Sequence, residues 1–427
     1  MTSSPGGGSA GMRVVLDVRP LQQPERAPTT AIYLGELLRA FDAQPIPGES
    51  FALMLQAGLD DPTQSLDGLE IVGRRLLPPT RLLRAGAMTV DPFLLRGASV
   101  GAGWRAERSG AAGAVYHAVG GIAPLASGLP VVVTLLDLAA WEAPNIYQRG
   151  PAARFGHRLR TRILRDAAAV IVGTEAVGHS TRALVHVRRE RIKVVRLAPR
   201  GAFKPEARDG GPGEARRLGL PERYVVYPGR DDARQDLATL LRALGDLAAT
   251  ARPSVLPESV PWPPRVLLVG ASPDDRAALA RAAARQGVGD FLLYAPHLEP
   301  GRLASVVANA RAVVLPVVSD AAGLSAIEAL ACDTPVLASA VGALPEIVAG
   351  GGILVEPHDA PRLAAGLATI WGDEAMHARL VSRARQSDAR RRTWRAVADD
   401  TRQIYAAAAG SRRRSGSSPT NRVAVRA

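Results

Sequence analysis

One stretch constrains this chain more than any other: residues 313–336, VVLPVVSDAAGLSAIEALACDTPV. Its apolar run at 313–318 reads as a buried strand, Ser319-Asp320 as a loop, and residues from about 322 to 332 as a helix that Asp333-Thr334-Pro335 stops. A loop of this kind opens onto free backbone amides at a helix N-terminus, where an anion such as a diphosphate can bind. Gly323 lets a ligand approach the backbone closely. At helical spacing Leu324, Ile327, Glu328 and Ala331 share a face. Glu328 is therefore a charge inside an apolar stripe, and it needs a partner. Sugar hydroxyls could be that partner, because an ionised carboxylate only accepts hydrogen bonds. A structural partner inside the protein serves equally well. Asp320, at the loop mouth, is either a second polyol contact or an N-cap.

The rest of the chain repeats the strand–helix alternation. Strand patterns at 12–18, 114–118, 131–135, 167–172 and 192–197 alternate with helical patterns at 29–41, 155–165 and 175–187. Residues 50–55 and 69–72 are further strand candidates. The Gly-, Pro- and charge-rich segment 198–222 reads as a hinge. A second alternating set follows, with strands at 224–227, 265–270, 291–294, 312–315, 336–338 and 352–355 and helices at 361–371, 375–385 and 393–409. Such alternation implies open parallel sheets covered by helices. Between strand 224–227 and its helix lies PGRDDARQDL (228–237), where a glycine followed by arginines can grip a diphosphate. The alternative for that loop is a surface turn with ion pairs to Asp231, Asp232 and Asp236.

Taken together, these segments resemble the family-4 type of GT-B glycosyltransferases. That family reads E-G-F-G-L-P-x-L-E-A-M-A-x-G-x-P-V, against D-A-A-G-L-S-A-I-E-A-L-A-C-D-T-P-V here. Gly323, Leu324, Glu328, Ala329, Ala331, Pro335 and Val336 match, whereas Asp320 replaces a Glu and Ser325 a Pro. The resemblance implies an α/β fold of two Rossmann-like, doubly wound parallel-sheet domains facing across a cleft. Its implied layout is a leader (1–11), a first, acceptor-binding domain (12–197), a linker (198–222), a nucleotide-sugar domain (223–385), a helix crossing back to the first domain (386–409) and a disordered basic tail (410–427). The implied activity is transfer of a sugar from a nucleotide diphosphate sugar, with retained configuration, to a glycan, lipid-linked or small-molecule acceptor.

The same resemblance assigns roles. Glu328 holds the ribose hydroxyls, Asp320 the sugar hydroxyls, and the amides at Gly323, Leu324 and Ser325 the sugar or diphosphate. Gly229 and Arg230 match the family's phosphate loop; Gln235 stands where a lysine is usual, with Arg234 beside it. Lys193 and Lys204 are the only lysines, so an arginine must carry the phosphate charge. His117 falls where many members place a histidine facing the reacting centre, although a hydrogen-bonded strand-end histidine explains it equally well. Tyr33 and Asp137 fall on the acceptor side, and Leu136 replaces a usual histidine. The departures at Asp320, Gln235 and Leu136 keep open a second reading: a binding or scaffold protein on a decayed glycosyltransferase fold.

Composition narrows the partners. The net charge of +13 favours anionic ligands, membrane surfaces or nucleic acid. Aromatics make up 4% of residues and no zinc-finger spacing occurs, so nucleic acid is not expected. The basic, apolar region 74–105 fits either peripheral contact with anionic lipid or one buried and one solvated helix face. No run of eighteen apolar residues or signal-peptide pattern is visible, which leads to an expected cytoplasmic location, with the inner membrane face open. Cys332 is the only cysteine, so no intrachain disulfide forms. Neither a metal nor a cofactor is expected beyond the donor.

Overall fold

The computed structural model describes residues 11–78, 95–96, 113–120, 123–125, 127–208, 213–229 and 234–416. The first domain is built on strands β1 (Met12–Asp17), β2 (Glu49–Gln56), β3 (Ile71–Leu77), β4 (Gly113–Val119), β5 (Val131–Thr134), β6 (Ala169–Val172) and β7 (Ile192–Val194). They form one sheet in the order β3-β2-β1-β4-β5-β6-β7. Every pair in it is parallel. The second domain orders β8 (Val225–Pro228), β9 (Val266–Val269), β10 (Leu292–Ala295), β11 (Ala312–Leu315), β12 (Val336–Ser339) and β13 (Gly352–Val355) as β10-β9-β8-β11-β12-β13, again all parallel. These are the two Rossmann-like sheets of the expected architecture.

The strands are short Val-, Ile- and Leu-rich runs because helices cover both faces of each sheet. Helix α1 (Pro28–Asp42) buries Tyr33, Leu34, Leu37, Leu38 and Phe41 on its sheet-facing side. Further along the chain, α2 (Pro151–Asp166), α3 (Glu175–Ser180) and α4 (Leu237–Ala248) cover their own sheets. Helix α5 (Leu324–Ala331) is apolar nearly all round and buries seven of its eight residues. The last helix, α7 (Trp394–Gly416), follows the short α6 (Leu344–Val348) and two longer helices of the second domain. It returns to the first domain, where Trp394, Val397, Ala398, Tyr405 and Ala408 join the core beneath α1. Arg402 of α7 pairs with Glu49 at 2.7 Å, with both side chains about nine-tenths buried.

Residues 74–77 lie in β3, so the basic region expected at 74–105 begins as an edge strand. Most of the remainder of that region falls outside the described residues. The helix expected at 175–187 ends at Ser180 and continues as a π-turn over Thr181–Val185. Among the described residues no helix is long and apolar enough to cross a membrane.

Strand order fixes where a ligand can sit. In the second sheet the order reverses between β8 and β11, which leaves a crevice beyond their carboxyl ends. The loop after β8 begins at Gly229 and the loop after β11 carries Asp320. Two segments 90 residues apart by number (229 and 319) thus meet at one edge.

Candidate functional site

The two loops at the switch point are sewn together by backbone hydrogen bonds. The Asp236 amide donates to the Pro316 carbonyl at 2.7 Å and the Val318 amide to the Arg234 carbonyl at 2.8 Å. Gln235 sits opposite Val317 in an antiparallel bridge. Arg234 is therefore held at the mouth of the β11 loop. Arg230 lies outside the described residues, as do residues 231–233.

Asp320 is the centre of that loop. Its Oδ1 accepts from the amides of Ala322 (3.0 Å) and Gly323 (2.7 Å), so it caps the entrance to α5. Its backbone carbonyl accepts from Ala343 N at 2.8 Å. Gly323 has φ +62°, a left-handed conformation that a side chain would strain. A Cβ there would also meet Ile347 Cδ1 at 2.1 Å. Burial raises the Asp320 pKa, Asp137 raises it further, and the two amides and Arg234 oppose the shift. Leu324 is buried and Ser325 half-buried in the first turn of α5.

The first domain faces this loop with charge. Asp137 Oδ2 lies 3.4 Å from Arg234 Nη1, an ion pair between the domains. The other Asp137 oxygen accepts from Ala139 N at 2.8 Å. Glu142 accepts a short hydrogen bond from Ser319 Oγ, again between domains. Arg160 of α2 lies over the Trp141 ring and donates to the Gly120 carbonyl at 3.0 Å. Burial lowers its pKa, and the Asp137 charge opposes that. Arg160, Asp137, Arg234 and Asp320 thus form a run of alternating charge from one domain to the other.

Glu328 has a partner, and it is protein. Arg200 of the linker donates from Nε to Oε1 at 2.6 Å and from Nη2 to Oε2 at 2.9 Å, a two-pronged pair. The side chains are 13% and 7% exposed. Burial raises the Glu328 pKa and Arg200 opposes it; Glu36 of α1 adds a weaker upward push. The Arg200 guanidinium stacks on Phe203, 4.8 Å from the ring centre.

Three expected positions lie elsewhere. His117 is inside β4 rather than at its end, and it is fully buried. Its Nε2 pairs with Thr134 Oγ1 at 2.8 Å and its Nδ1 with Tyr405 Oη at 2.6 Å. Burial drives its pKa down to about 3, so it is neutral. Of the two readings of His117, this geometry is that of the hydrogen-bonded strand histidine, with the crossover helix over it. Tyr33 is 1% exposed and accepts from Thr134 Oγ1 at 3.3 Å. Its ring packs edge-on against Trp394 at 5.5 Å. It belongs to the same core and not to an acceptor surface. Leu136, 4% exposed, fills the first-domain core.

A cavity of about 600 Å³ also opens between the domains, walled by Gly173, Thr174, Arg196, Ile327, Glu346 and Arg383 among others. Neither Asp320 nor Glu328 lines it. Glu346 reaches across to accept from the Ala176 amide of α3 at 3.1 Å.

Residues 214–387 match the family described as glycosyl transferases group 1. This match covers most of the second domain. Within the group 1 region lie the Asp320 loop, α5 and the Gly342 turn. A D-inositol 3-phosphate glycosyltransferase of Streptomyces avermitilis is 34% identical over 240 residues, covering 54% of this chain and 50% of that protein. One from Acidothermus cellulolyticus is 29% identical over 320 residues, covering 72% of this chain and 68% of that one. The matches thus span about half to two-thirds of these relatives' lengths. Among solved structures, sucrose-phosphate synthase from Thermosynechococcus elongatus superposes with a TM-score of 0.72 at 22% identity, covering 96% of this chain and 100% of that one. Anabaena HepE in complex with UDP and glucose gives 0.66 at 18% identity, covering 92% and 99%. These likenesses show the fold of the whole chain.

Sequence reasoning missed Arg200, Arg160 and Glu142. The one signal for Arg200 was indirect: a buried Glu328 demanded a cation, and nothing in the sequence singled out Arg200 among the linker's arginines.

Proposed function

We propose that this protein transfers a sugar from a nucleotide diphosphate sugar to an acceptor held by the first domain, with retention at the anomeric carbon. The observation that carries this reading is the loop at the switch point. Asp320 is locked by two amides, Gly323 is held at positive φ, and Arg234 is fixed beside them opposite Asp137. In this reading Asp320 meets the sugar hydroxyls, and the first amides of α5, at Leu324 and Ser325, face the sugar or diphosphate. Glu328 meets the ribose. Arg234, with Arg230 and Gly229 of the same loop, takes the charge that develops on the leaving diphosphate. The group supplying positive charge is then guanidinium, so the reaction draws on no resident metal. Asp137 orients Arg234 and lies at the acceptor edge.

Supporting context narrows the substrates. HepE is described with UDP-glucose, which favours a UDP-sugar donor. The curated relatives are named for D-inositol 3-phosphate, which favours a small phosphorylated polyol among the acceptor classes. Contact with an anionic membrane face remains part of the proposal through the net charge of +13.

The test is a transfer assay: the full chain with UDP-glucose or UDP-N-acetylglucosamine and D-inositol 3-phosphate, read as UDP release and as product mass. Transfer that falls about 10²–10³-fold in Arg234→Ala or Arg230→Ala supports the reading. Nucleotide binding with no transfer or hydrolysis of any donor would favour the binding-protein reading instead.

A further inference from the structure

The Glu328 carboxylate is where the proposed donor site and the domain linker meet. Helix α5 supplies Glu328, and the linker supplies Arg200, five residues before the 3₁₀ turn that starts at Pro205. The guanidinium takes one acceptor site on each carboxylate oxygen, at 2.6 and 2.9 Å. An ionised carboxylate has about four such sites. The Arg200 backbone amide also donates to this carboxylate, so capacity remains for one hydroxyl, and the fork leaves the carboxylate only one orientation in which to offer it. The Phe203 ring under the guanidinium fixes the fork in turn.

We propose that Arg200 is a positioning residue for the donor nucleotide: it holds the Glu328 carboxylate ionised and in one plane for the ribose hydroxyls. This role rests on the donor site proposed above. The alternative within the same geometry, a purely structural pair, makes no demand on nucleotide binding.

The two differ in how binding responds to pH. The charged or titratable groups facing Glu328 are Arg200 from the linker, Glu36 from α1 and Cys332, the residue after the end of α5. Of these only Arg200 favours the ionised carboxylate. Without it, burial and Glu36 both favour the protonated form. The sign follows directly. Ribose hydroxyls donate, so they bind the ionised form better. In a variant lacking Arg200, nucleotide binding must first remove a proton from Glu328. Affinity is then retained at high pH and lost as pH falls through the raised pKa, by about tenfold per pH unit.

The experiment measures UDP-glucose affinity calorimetrically for the full chain at a series of pH values, from above neutrality down to the lowest at which each variant stays folded. The wild type should bind with nearly constant affinity across it. Arg200→Met should bind progressively more weakly toward the acid end, and Arg200→Lys, which keeps the charge but not the fork, should restore a flat profile at reduced affinity. Arg200→Met, Glu328→Gln should lose the pH dependence, since the titrating carboxyl at position 328 is gone. If Arg200→Met does not fold, Arg200→Lys alone decides: wild-type affinity in that variant overturns the positioning role. A flat, wild-type profile in Arg200→Met overturns the proposal while leaving the donor site standing. Absence of UDP-glucose binding by the wild type overturns both together.

Discussion

Gly342→Ala strikes the loop that carries the site without touching any side chain of it. Gly342 has φ +56°, and a Cβ there would stand 2.0 Å from the Asp320 carbonyl oxygen. The left-handed backbone costs an alanine about 1–2 kcal/mol. The clash cannot be relieved by a rotamer, because both partners are backbone. Asp320 must move by about 1 Å or more to regain ordinary contact. That movement breaks the bond from Ala343 N to Asp320 O at 2.8 Å, worth ~0.5–1.5 kcal/mol. The sum is a loss of ~1.5–3.5 kcal/mol, which shifts the melting midpoint by roughly 3–14 °C in a domain of this size. Gly350→Ala is the matched control: φ is +94° and nothing lies within 4 Å of its Cβ, so it carries the backbone cost alone. Thermal melts and UDP-glucose titrations of both variants test the argument. Gly342→Ala should be the less stable and should lose donor affinity, whereas Gly350→Ala should keep it. Equal stability of the two variants, with donor affinity unchanged, would refute the claim that the turn at Gly342 sets the position of Asp320.

Glu328→Ala should lower stability by ~3–5 kcal/mol in urea denaturation, because Arg200 is left buried without its partner; Glu328→Gln should cost less. His117 is neutral in the folded protein with a pKa depressed to about 3, while the unfolded chain protonates near 6.5, so its contribution is intact above pH 6.5 and is lost as pH falls toward 3. Its share of the acid loss is about 1.4 kcal/mol per pH unit, and the stability profile of His117→Gln should be flatter over that window. The same variant should retain transfer activity to within a few-fold when assayed where it is folded. Cys332 is buried and its pKa is pushed up to about 12, so a thiol reagent at neutral pH should label the protein only after unfolding.

The sequence carries the alternation and therefore the sheets. Short Val- and Leu-rich runs separated by helical spacing leave few options but parallel sheets with covered faces. It also determined the Asp320 loop, because a strand, a short polar turn and a helix opened by Gly323 specify their own geometry locally. The identity of side-chain partners was not determined in the same way. A charge in an apolar helix stripe announces that Glu328 has a partner but not which one, since Arg200 lies 128 positions away and is brought there only by the linker's path between the domains. His117 stands between two readings in the sequence for a related reason. Its place along β4 follows from local pattern, but whether that end of the strand faces a cleft or a core depends on α7, whose Tyr405 arrives from 288 residues later. Asp137 and Arg234 meet only because the two sheets pack against each other across the domains. Local periodicity records what each segment buries; which segment buries it is decided by packing at long range, and in this protein that packing supplies the counter-ion of Glu328, the cover over His117 and the charge run across the cleft.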